Sequence, residues 1–229
     1  MNLPDSVTIG SGQGGMPVVE VQTPRARACL YLHGAHLTEW TPAGQEQVLW
    51  LSSTSRFEEG MPIRGGIPLC LPWFSRGPSG DKEPMHGLAR LNPWELTGAS
   101  DSDGTVTLQL ALQQDEWSAS LTLTIGEELG LELTTTNHGD SNLQVEEALH
   151  TYFMVSDVAL VSVEGLDGAR YFDKVADEHA SQEGAITFEG ATDRVYESAE
   201  PVTILDPGLG RRIQIEKQSS ENTVVWNPG

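Results

Sequence analysis

The chain of 229 residues carries a formal net charge of -20, from 33 acidic and 13 basic side chains. This charge repels phosphate backbones, so we expect neither a nucleic acid nor an anionic membrane as partner. The sequence has no run of about eighteen apolar residues, and residues 1–7 lack the features of a signal peptide. We therefore expect a cytoplasmic protein with one β-sandwich domain over residues 1–229.

The first motif is a glycine-rich stretch at residues 10–15 that formally matches the dinucleotide-binding pattern. That pattern requires a helix next, so that the helix N-terminus can meet the pyrophosphate. Strand-like residues follow at 16–19, and we interpret the stretch as a hairpin loop. His33 and His36 have a spacing that suits metal ligands on a helix, but they lie in a β context with a glycine between them. We expect no metal site there.

Alternation of apolar and polar residues dominates the middle of the chain, at 105–112, 121–125 and 129–133. This pattern predicts a β-meander with one buried face and a turn at Gly126. Shorter β-rich runs occupy 18–21, 28–32, 158–163 and 213–215. Short strands separated by Gly, Asp, Asn and Pro favour a sandwich, and no stretch shows helical periodicity. Residues 52–93 and 173–190 are predicted to be irregular, and long irregular segments on a β scaffold often carry function.

The first candidate site lies in residues 63–90. Arg64 precedes two glycines and Arg90 closes the segment, with Trp73 and Phe74 between them. Guanidinium groups match phosphate oxygens in bidentate fashion, and neighbouring glycines allow a ligand to approach closely. The two aromatic rings offer an apolar platform for a sugar face. For each arginine the alternative is an ion pair with one of the abundant carboxylates.

The second candidate site surrounds His150. In strand geometry His150 falls on the face opposite the apolar residues, together with Glu146 and Tyr152. A histidine among polar neighbours is suited to donate a proton near neutral pH, and the alternative is a surface or hydrogen-bonded structural histidine. Farther along the chain, Asp193 is suited to hold a sugar hydroxyl or to cap a turn.

Five motifs of this sequence occur in the order found in one family. They are Ile63-Arg64-Gly65-Gly66-Ile67-Pro68 with Leu71-Pro72-Trp73-Phe74, His86-Gly87-Leu88-Ala89-Arg90, Glu147-Ala148-Leu149-His150-Thr151-Tyr152-Phe153, Thr192-Asp193-Arg194-Val195-Tyr196 and Val224-Val225-Trp226-Asn227-Pro228. In this combination the chain resembles the glucose-6-phosphate 1-epimerase (hexose-6-phosphate mutarotase) branch of the aldose 1-epimerase superfamily.

The resemblance implies an all-β, galactose-mutarotase-like supersandwich of largely antiparallel strands, without cofactor or metal. It implies an isomerase that interconverts the α and β anomers of a hexose 6-phosphate, with His150 protonating the ring oxygen. Arg64, Arg90 and Asp193 match substrate-binding residues of the family, the arginines being suited to the 6-phosphate. His86 lies in the same motif as Arg90 and is expected to line the site. We expect a monomer that acts on a small molecule.

The sequence departs from the family pattern at two places. Met85 stands where some relatives have a glutamine. The family's general base is a glutamate in a strand beyond the motif that ends at Pro228, and the chain ends at Gly229. We therefore expect the C-terminal strands of the fold to be missing from this chain. Two alternatives are a substitute base, either Glu146 or Asp193, and a non-catalytic module that binds sugar phosphates.

Overall fold

A computed structural model describes residues 2–229 of the chain. Seventeen β-strands lie within these residues: β1 Val7–Ser11, β2 Pro17–Gln22, β3 Ala26–Tyr31, β4 His36–Pro42, β5 Leu69–Cys70, β6 Glu95–Ser102, β7 Thr105–Gln113, β8 Trp117–Ile125, β9 Leu129–Asn137, β10 Ala148–Leu149, β11 Ser162–Glu164, β12 Arg170–Asp173, β13 Glu178–Ser181, β14 Thr192–Glu197, β15 Val202–Asp206, β16 Arg211–Ile215 and β17 Asn222–Asn227. The helical elements in this part of the chain are two three-residue 3₁₀ turns, Gln13–Gly15 and Ala89–Leu91. Neither has the length or the apolar character needed to cross a membrane as a helix.

The predicted all-β class is confirmed. Every pairing between the strands named above is antiparallel. The chain divides into two compact units, the first ending at Met154 and the second beginning at Val155. The description of residues 1–229 as one domain stays a prediction.

The first unit contains two four-stranded sheets, one in the order β1-β2-β3-β4 and one in the order β6-β7-β8-β9. The second sheet is the predicted meander. Its strands β7 and β8 alternate between buried and more exposed positions, and Leu108, Leu121 and Leu123 are fully buried. Apolar side chains of both sheets belong to one core cluster. Burial of alternate side chains therefore fixes the register of the meander, since a shift by one residue would expose its apolar face.

The glycine-rich stretch at residues 10–15 is a hairpin loop, as predicted. It joins β1 to β2, which pair in antiparallel register. Gly14 requires glycine for two reasons: its φ is +67°, and an added Cβ would lie 1.9 Å from the carbonyl oxygen of Phe57. A strand follows the loop, so the helix that a dinucleotide site needs does not form here.

The second unit contains a three-stranded sheet, β11-β15-β16, and a four-stranded sheet, β13-β12-β14-β17. The predicted strand at 158–163 is wrong for most of its length, because β11 begins only at Ser162. The side chain of Asp157 accepts a hydrogen bond from the Ala159 amide at 2.9 Å and stabilises a turn there. Val158 and Leu160 consequently lie exposed.

The two segments predicted to be irregular differ in outcome. Residues 52–93 contain only the two-residue strand β5 and the turn Ala89–Leu91, as expected. Residues 173–190 include β13, which forms a hairpin with β12. The ring of His179 on β13 packs against that of Phe172, with 5.0 Å between centroids. This cross-strand ring pair helps to stabilise β13, which no alternation of apolar residues predicts.

Candidate functional site

The two candidate segments of the first unit lie side by side. Residues 146–152 run antiparallel to residues 66–72, with β10 paired to β5 at the centre. The amide of His150 donates a hydrogen bond to the carbonyl of Pro68 at 3.0 Å. This pairing joins the histidine motif to the glycine-rich backbone that follows Arg64, over a sequence distance of about eighty residues that no local pattern reveals.

Five aromatic rings form a continuous row through this region. Trp50 stacks on Tyr152 with 5.9 Å between centroids, and Tyr152 stacks on His150 at 4.8 Å. His150 meets His86 edge-on at 6.1 Å, and His86 contacts Phe74 at 4.9 Å. The structure thus brings two predicted site residues, His86 and His150, into one row that ends at Trp50 on one side and Phe74 on the other.

The tautomer of His86 follows from its contact with Ser75. The Ser75 amide donates a hydrogen bond to His86 Nδ1 at 3.0 Å, so Nδ1 is the unprotonated nitrogen of the neutral ring and Nε2 carries the hydrogen. The His86 amide in turn donates to the Ser75 carbonyl at 2.6 Å. Both residues have positive φ, 54° for Ser75 and 66° for His86, an uncommon conformation for residues with side chains. The paired hydrogen bonds hold the ring in one orientation.

Neither Arg64 nor Arg90 has a carboxylate within 4.0 Å among residues 2–229. Arg64 is exposed. Arg90 is partly buried; its Nη2 donates to the Met85 carbonyl at 2.6 Å, and its buried Nε has no hydrogen-bond partner in the described part of the chain. Burial lowers the pKa of Arg90 from its ordinary value. In the structure, therefore, neither arginine forms the alternative ion pair with a carboxylate.

The phenol of Tyr152 connects the arginines to the ring row. Burial raises the pKa of Tyr152, while the positive charges of Arg64 and Arg90 act in the opposite direction. Two hydrogen bonds place the arginine segments beside the row: the Tyr152 amide donates to the carbonyl of Gly66, two residues after Arg64, at 2.9 Å, and Arg90 Nη2 donates to the carbonyl of Met85, which precedes His86. Because Tyr152 stacks on His150, the two cations and the proposed proton donor belong to one cluster. We refer to Arg64, His86, Arg90, His150 and Tyr152 as the arginine–histidine cluster.

Residues around the cluster agree only in part with the sequence-based expectation. Trp73 is not in the ring row; its indole donates to the Pro84 carbonyl at 2.9 Å and lies under the ammonium group of Lys82. Trp50 was missed, and it joins the row because its amide donates to the Tyr152 carbonyl at 2.9 Å. No motif marks Trp50, since the pairing bridges distant parts of the sequence.

Glu146 also lies next to the ring row. Its carboxylate accepts a hydrogen bond from the Phe74 amide at 3.2 Å, and its own amide donates to the Pro72 carbonyl at 3.1 Å. The predicted position of Glu146 on the same strand face as His150 fits this placement. Among residues 2–229 no group of three or more His, Cys, Asp or Glu side chains is arranged to hold a metal ion.

Asp193 belongs to the second unit. It lies within β14, opposite Trp226 of β17, and therefore does not cap a turn. Its carboxylate pairs with Lys174, at 3.7 Å between Oδ1 and Nζ. A role of Asp193 in holding a sugar hydroxyl stays a prediction.

Comparison with known proteins identifies the family. Residues 17–229 match the family model of aldose 1-epimerase. The chain belongs to the aldose 1-epimerase family. A protein of Escherichia coli K12 named "Putative glucose-6-phosphate 1-epimerase" is 40% identical over 225 residues, which cover 93% of this chain and 75% of that protein. A protein of the same name from Cenchrus ciliaris is 35% identical, covering 89% of this chain and 68% of its own length.

Solved structures of similar proteins have the same fold. The crystal structure of a "putative mutarotase" from Salmonella typhimurium has a TM-score of 0.91 and 34% identity, covering 100% of this chain and 79% of that one. A "galactose mutarotase-like protein" from Clostridium acetobutylicum shares the fold alone, with a TM-score of 0.76 and 13% identity over 96% of this chain and 83% of that one. The predicted galactose-mutarotase-like fold is confirmed. The family and its named members support mutarotase activity on a small sugar.

Proposed function

We propose that this aldose 1-epimerase acts on a hexose 6-phosphate, with glucose 6-phosphate as the first substrate to test. The observation that carries the proposal is the pair of arginines in the arginine–histidine cluster. In a chain of net charge -20, neither Arg64 nor Arg90 pairs with a carboxylate within the described residues. A bound phosphate would supply the acceptor oxygens that the buried Arg90 Nε lacks.

The charge around the cluster supports the same substrate class. The segment from Met61 to Pro93 carries four basic and two acidic side chains, opposite in balance to the chain as a whole. Hydrogen bonds to charged groups contribute about 1.5–3 kcal/mol each. A sugar without a phosphate would leave the two guanidinium groups without this contribution.

The proposed chemistry is ring opening and reclosure by proton transfer. His150 donates a proton to the ring oxygen while a base removes the proton of the C1 hydroxyl, and the bond between C1 and the ring oxygen breaks. Rotation about C1–C2 and closure with reversed proton transfers gives the other anomer. Stacking on Tyr152 and the edge contact with His86 fix the plane of the His150 ring. A proton donor held in this way contributes roughly 10²–10⁴-fold to the rate.

The neutral His86 adds a hydrogen-bond donor to the same cluster. Since its Nδ1 accepts the Ser75 amide, its Nε2–H is the donor that can serve a sugar oxygen. The faces of the ring row offer apolar contact to the carbon–hydrogen face of a pyranose. Glu146 supplies a carboxylate beside the row, held by the Phe74 amide. Conversion by the chain of 229 residues requires a base within it, and Glu146→Gln tests this carboxylate in that role.

The deciding experiment is NMR exchange spectroscopy on the anomeric protons of glucose 6-phosphate, with glucose as the second substrate. We expect the chain to accelerate exchange of the phosphate more than that of glucose. Arg64→Met should reduce this preference about 10–100-fold, the loss expected for one charged hydrogen-bonding partner. Arg25→Met is the matched control. Arg25 is an exposed arginine beside Glu127, so its replacement removes the same positive charge outside the arginine–histidine cluster.

Three results would contradict the proposal. Equal acceleration of both sugars would mean that the arginines do not select a phosphate. Line broadening of glucose 6-phosphate without exchange would favour the alternative of a non-catalytic module that binds sugar phosphates. Loss of preference in the Arg25→Met control would assign the effect to overall charge and not to the cluster.

A further inference from the structure

The turn that joins β3 to β4, taken together with His36, the first residue of β4 (residues 32–36), is unusual because it is buried and carries two histidines. His33 is 5% exposed and His36 is 1% exposed, and Ala35 between them is equally inaccessible. Connecting turns normally lie at the surface, where water satisfies their polar groups. A buried turn with two imidazole rings needs specific partners inside the protein.

The two histidines hold the segment that carries Arg64. His33 Nε2 donates a hydrogen bond to the Met61 carbonyl at 2.8 Å, and His36 Nε2 donates to the Gly65 carbonyl at 2.7 Å. A carbonyl oxygen only accepts, so each Nε2 carries the hydrogen. Arg64 lies between these two anchored carbonyls, one residue before the second.

The anchors matter because the backbone after Arg64 is intrinsically permissive. Gly65 has a φ of +107° and Gly66 a φ of +59°. Glycines adopt such conformations without cost but also leave them readily. An added Cβ on Gly66 would lie 2.9 Å from His36 Nε2, so the backbone packs directly on the imidazole. Within its own segment the Arg64 amide donates to Ser55 Oγ at 2.8 Å and its carbonyl accepts from the Ser52 amide at 3.0 Å. The His36 side chain, about thirty residues away, holds the Gly65 carbonyl that follows Arg64.

The same turn also holds the segment that carries Arg90. Gly34 donates its amide hydrogen to the Asn92 carbonyl at 2.8 Å, and Trp94 donates to the Leu32 carbonyl at 2.8 Å. Gly34 has a φ of +74°, and an added Cβ would lie 2.7 Å from the carbonyl oxygen of Arg90. Only glycine allows this close approach. One side of the turn thus contacts the backbone of Arg90 and its histidines contact the backbone around Arg64.

We propose that the turn at residues 32–36 is a shared support that sets the spacing of Arg64 and Arg90, and that His36 is a positioning residue for phosphate recognition. The inference rests on the proposed function, since it concerns the phosphate that the two arginines would bind. Two guanidinium groups grip one phosphate only when their separation matches its oxygens, and displacements of about 1 Å reduce such recognition strongly. His36 touches no substrate in this proposal and acts through the Gly65 carbonyl.

The test compares His36→Leu with His36→Gln. Leucine removes the hydrogen bond to Gly65, whereas the glutamine side-chain amide retains a donor of similar reach. For His36→Leu we expect the ratio of kcat/KM for glucose 6-phosphate to that for glucose to fall at least about 10-fold, mainly through a higher KM for the phosphate. For His36→Gln we expect recovery of most of the ratio. If His36 has a purely structural role, His36→Leu should lower kcat/KM for both substrates by the same factor.

Thr38→Val is the matched control. Thr38 is a buried residue of β4, the strand that begins at His36, and its hydroxyl donates to the Cys29 carbonyl of β3 at 3.1 Å and not to a carbonyl of either arginine segment. Thr38→Val removes one buried hydrogen bond, as His36→Leu does, and should leave the ratio of the two kcat/KM values unchanged. His33→Leu provides a second variant if His36→Leu does not fold, since it releases the other anchored carbonyl, that of Met61, and should shift the ratio in the same direction.

The outcomes separate the two proposals. If the wild-type chain prefers glucose 6-phosphate and folded His36→Leu or His33→Leu keeps that preference, the positioning role is wrong while the proposed function stands. A change of the ratio in Thr38→Val as large as in His36→Leu would also overturn it. If the wild-type chain shows no preference, the proposed function fails, and the inference fails with it.

Discussion

The meander β6–β9 and the segment of residues 61–93 obtain their conformations in different ways. In the meander, alternate side chains are buried and each strand is hydrogen-bonded along its length to its neighbour. Residues 61–93 contain only the short strand β5 and one 3₁₀ turn. Their shape depends on positive-φ residues such as Gly65 and His86, and on the buried histidines His33 and His36, just before and at the start of β4.

This difference separates stability from recognition. Apolar burial in the meander is non-directional and contributes roughly in proportion to area. The hydrogen bonds to the Met61 and Gly65 carbonyls are directional, and they fix where a charged group lies. Changes in the meander should therefore lower the free energy of unfolding, whereas changes in residues 61–93 and their anchors should alter substrate handling.

The largest effect is expected in the arginine–histidine cluster. Replacement of the proton donor by His150→Gln should reduce anomer exchange roughly 10²–10⁴-fold, because glutamine offers a hydrogen bond but no transferable proton. His138→Gln is the control, since His138 is exposed and bonds to Ser118 Oγ. NMR exchange rates for the three proteins measure the effect. Unchanged exchange in His150→Gln would remove His150 from the mechanism.

The next effect concerns the meander. Leu121 is fully buried, and Leu121→Ala should lower the free energy of unfolding by about 2–5 kcal/mol through lost burial and the cavity left behind. Ser120 is the exposed neighbour of Leu121, and Ser120→Ala should change the free energy of unfolding by less than about 0.5 kcal/mol. Urea unfolding gives both values. If Leu121→Ala also altered the ratio between glucose 6-phosphate and glucose, the separation of stability from recognition would be wrong.

A smaller effect is expected from pH. Burial lowers the pKa of His36 to about 4, opposed by its hydrogen bond to Gly65 and assisted by the nearby charges of His33 and Arg90. An imidazole in the unfolded chain titrates near its ordinary value of 6.5, so the unfolded state binds the proton first. This contribution to stability is present above about pH 6.5 and is lost as the pH falls toward 4. Between pH 7.5 and pH 5 the loss should be about 2 kcal/mol.

Urea unfolding at the two pH values tests this expectation against His36→Gln, which does not titrate. The variant should lose less stability than the wild-type chain over this interval. An identical pH dependence in the two proteins would show that other groups carry the effect.

The elements that could be predicted from the sequence are those that a local pattern of residues stabilises. Alternation at residues 105–133 predicts the meander because each apolar side chain is buried by its own strand's geometry. The positions of Arg64, Arg90, His86 and His150 in motifs pointed to one site. The structure brings the rings of His86 and His150 into contact, and the roles of the four residues stay predictions. The strand at 178–181 escaped prediction because its partner β12, and not its own pattern, stabilises it.

The parts that could not be predicted depend on contacts between distant residues. The His36 imidazole bonds to a carbonyl 29 residues away, and nothing in the residues around His36 marks that partner. His33 and His36 lie in the predicted β context, but the hydrogen bonds from their rings to the Met61 and Gly65 carbonyls depend on the fold and not on the local sequence. The same holds for Trp50, whose partner Tyr152 follows it by about one hundred residues.

The distribution of charge has a consequence for how fast an anionic ligand, such as the proposed sugar phosphate, would reach the proposed site. At low ionic strength the chain of net charge -20 repels an approaching dianion at long range. Physiological salt shortens that repulsion to a Debye length of about 8 Å. The excess of basic over acidic residues between Met61 and Pro93 attracts an anion at short range, where salt screens least. Moderate salt should therefore increase the association rate of an anionic ligand. For an enzyme whose whole surface attracts its substrate, salt has the opposite effect.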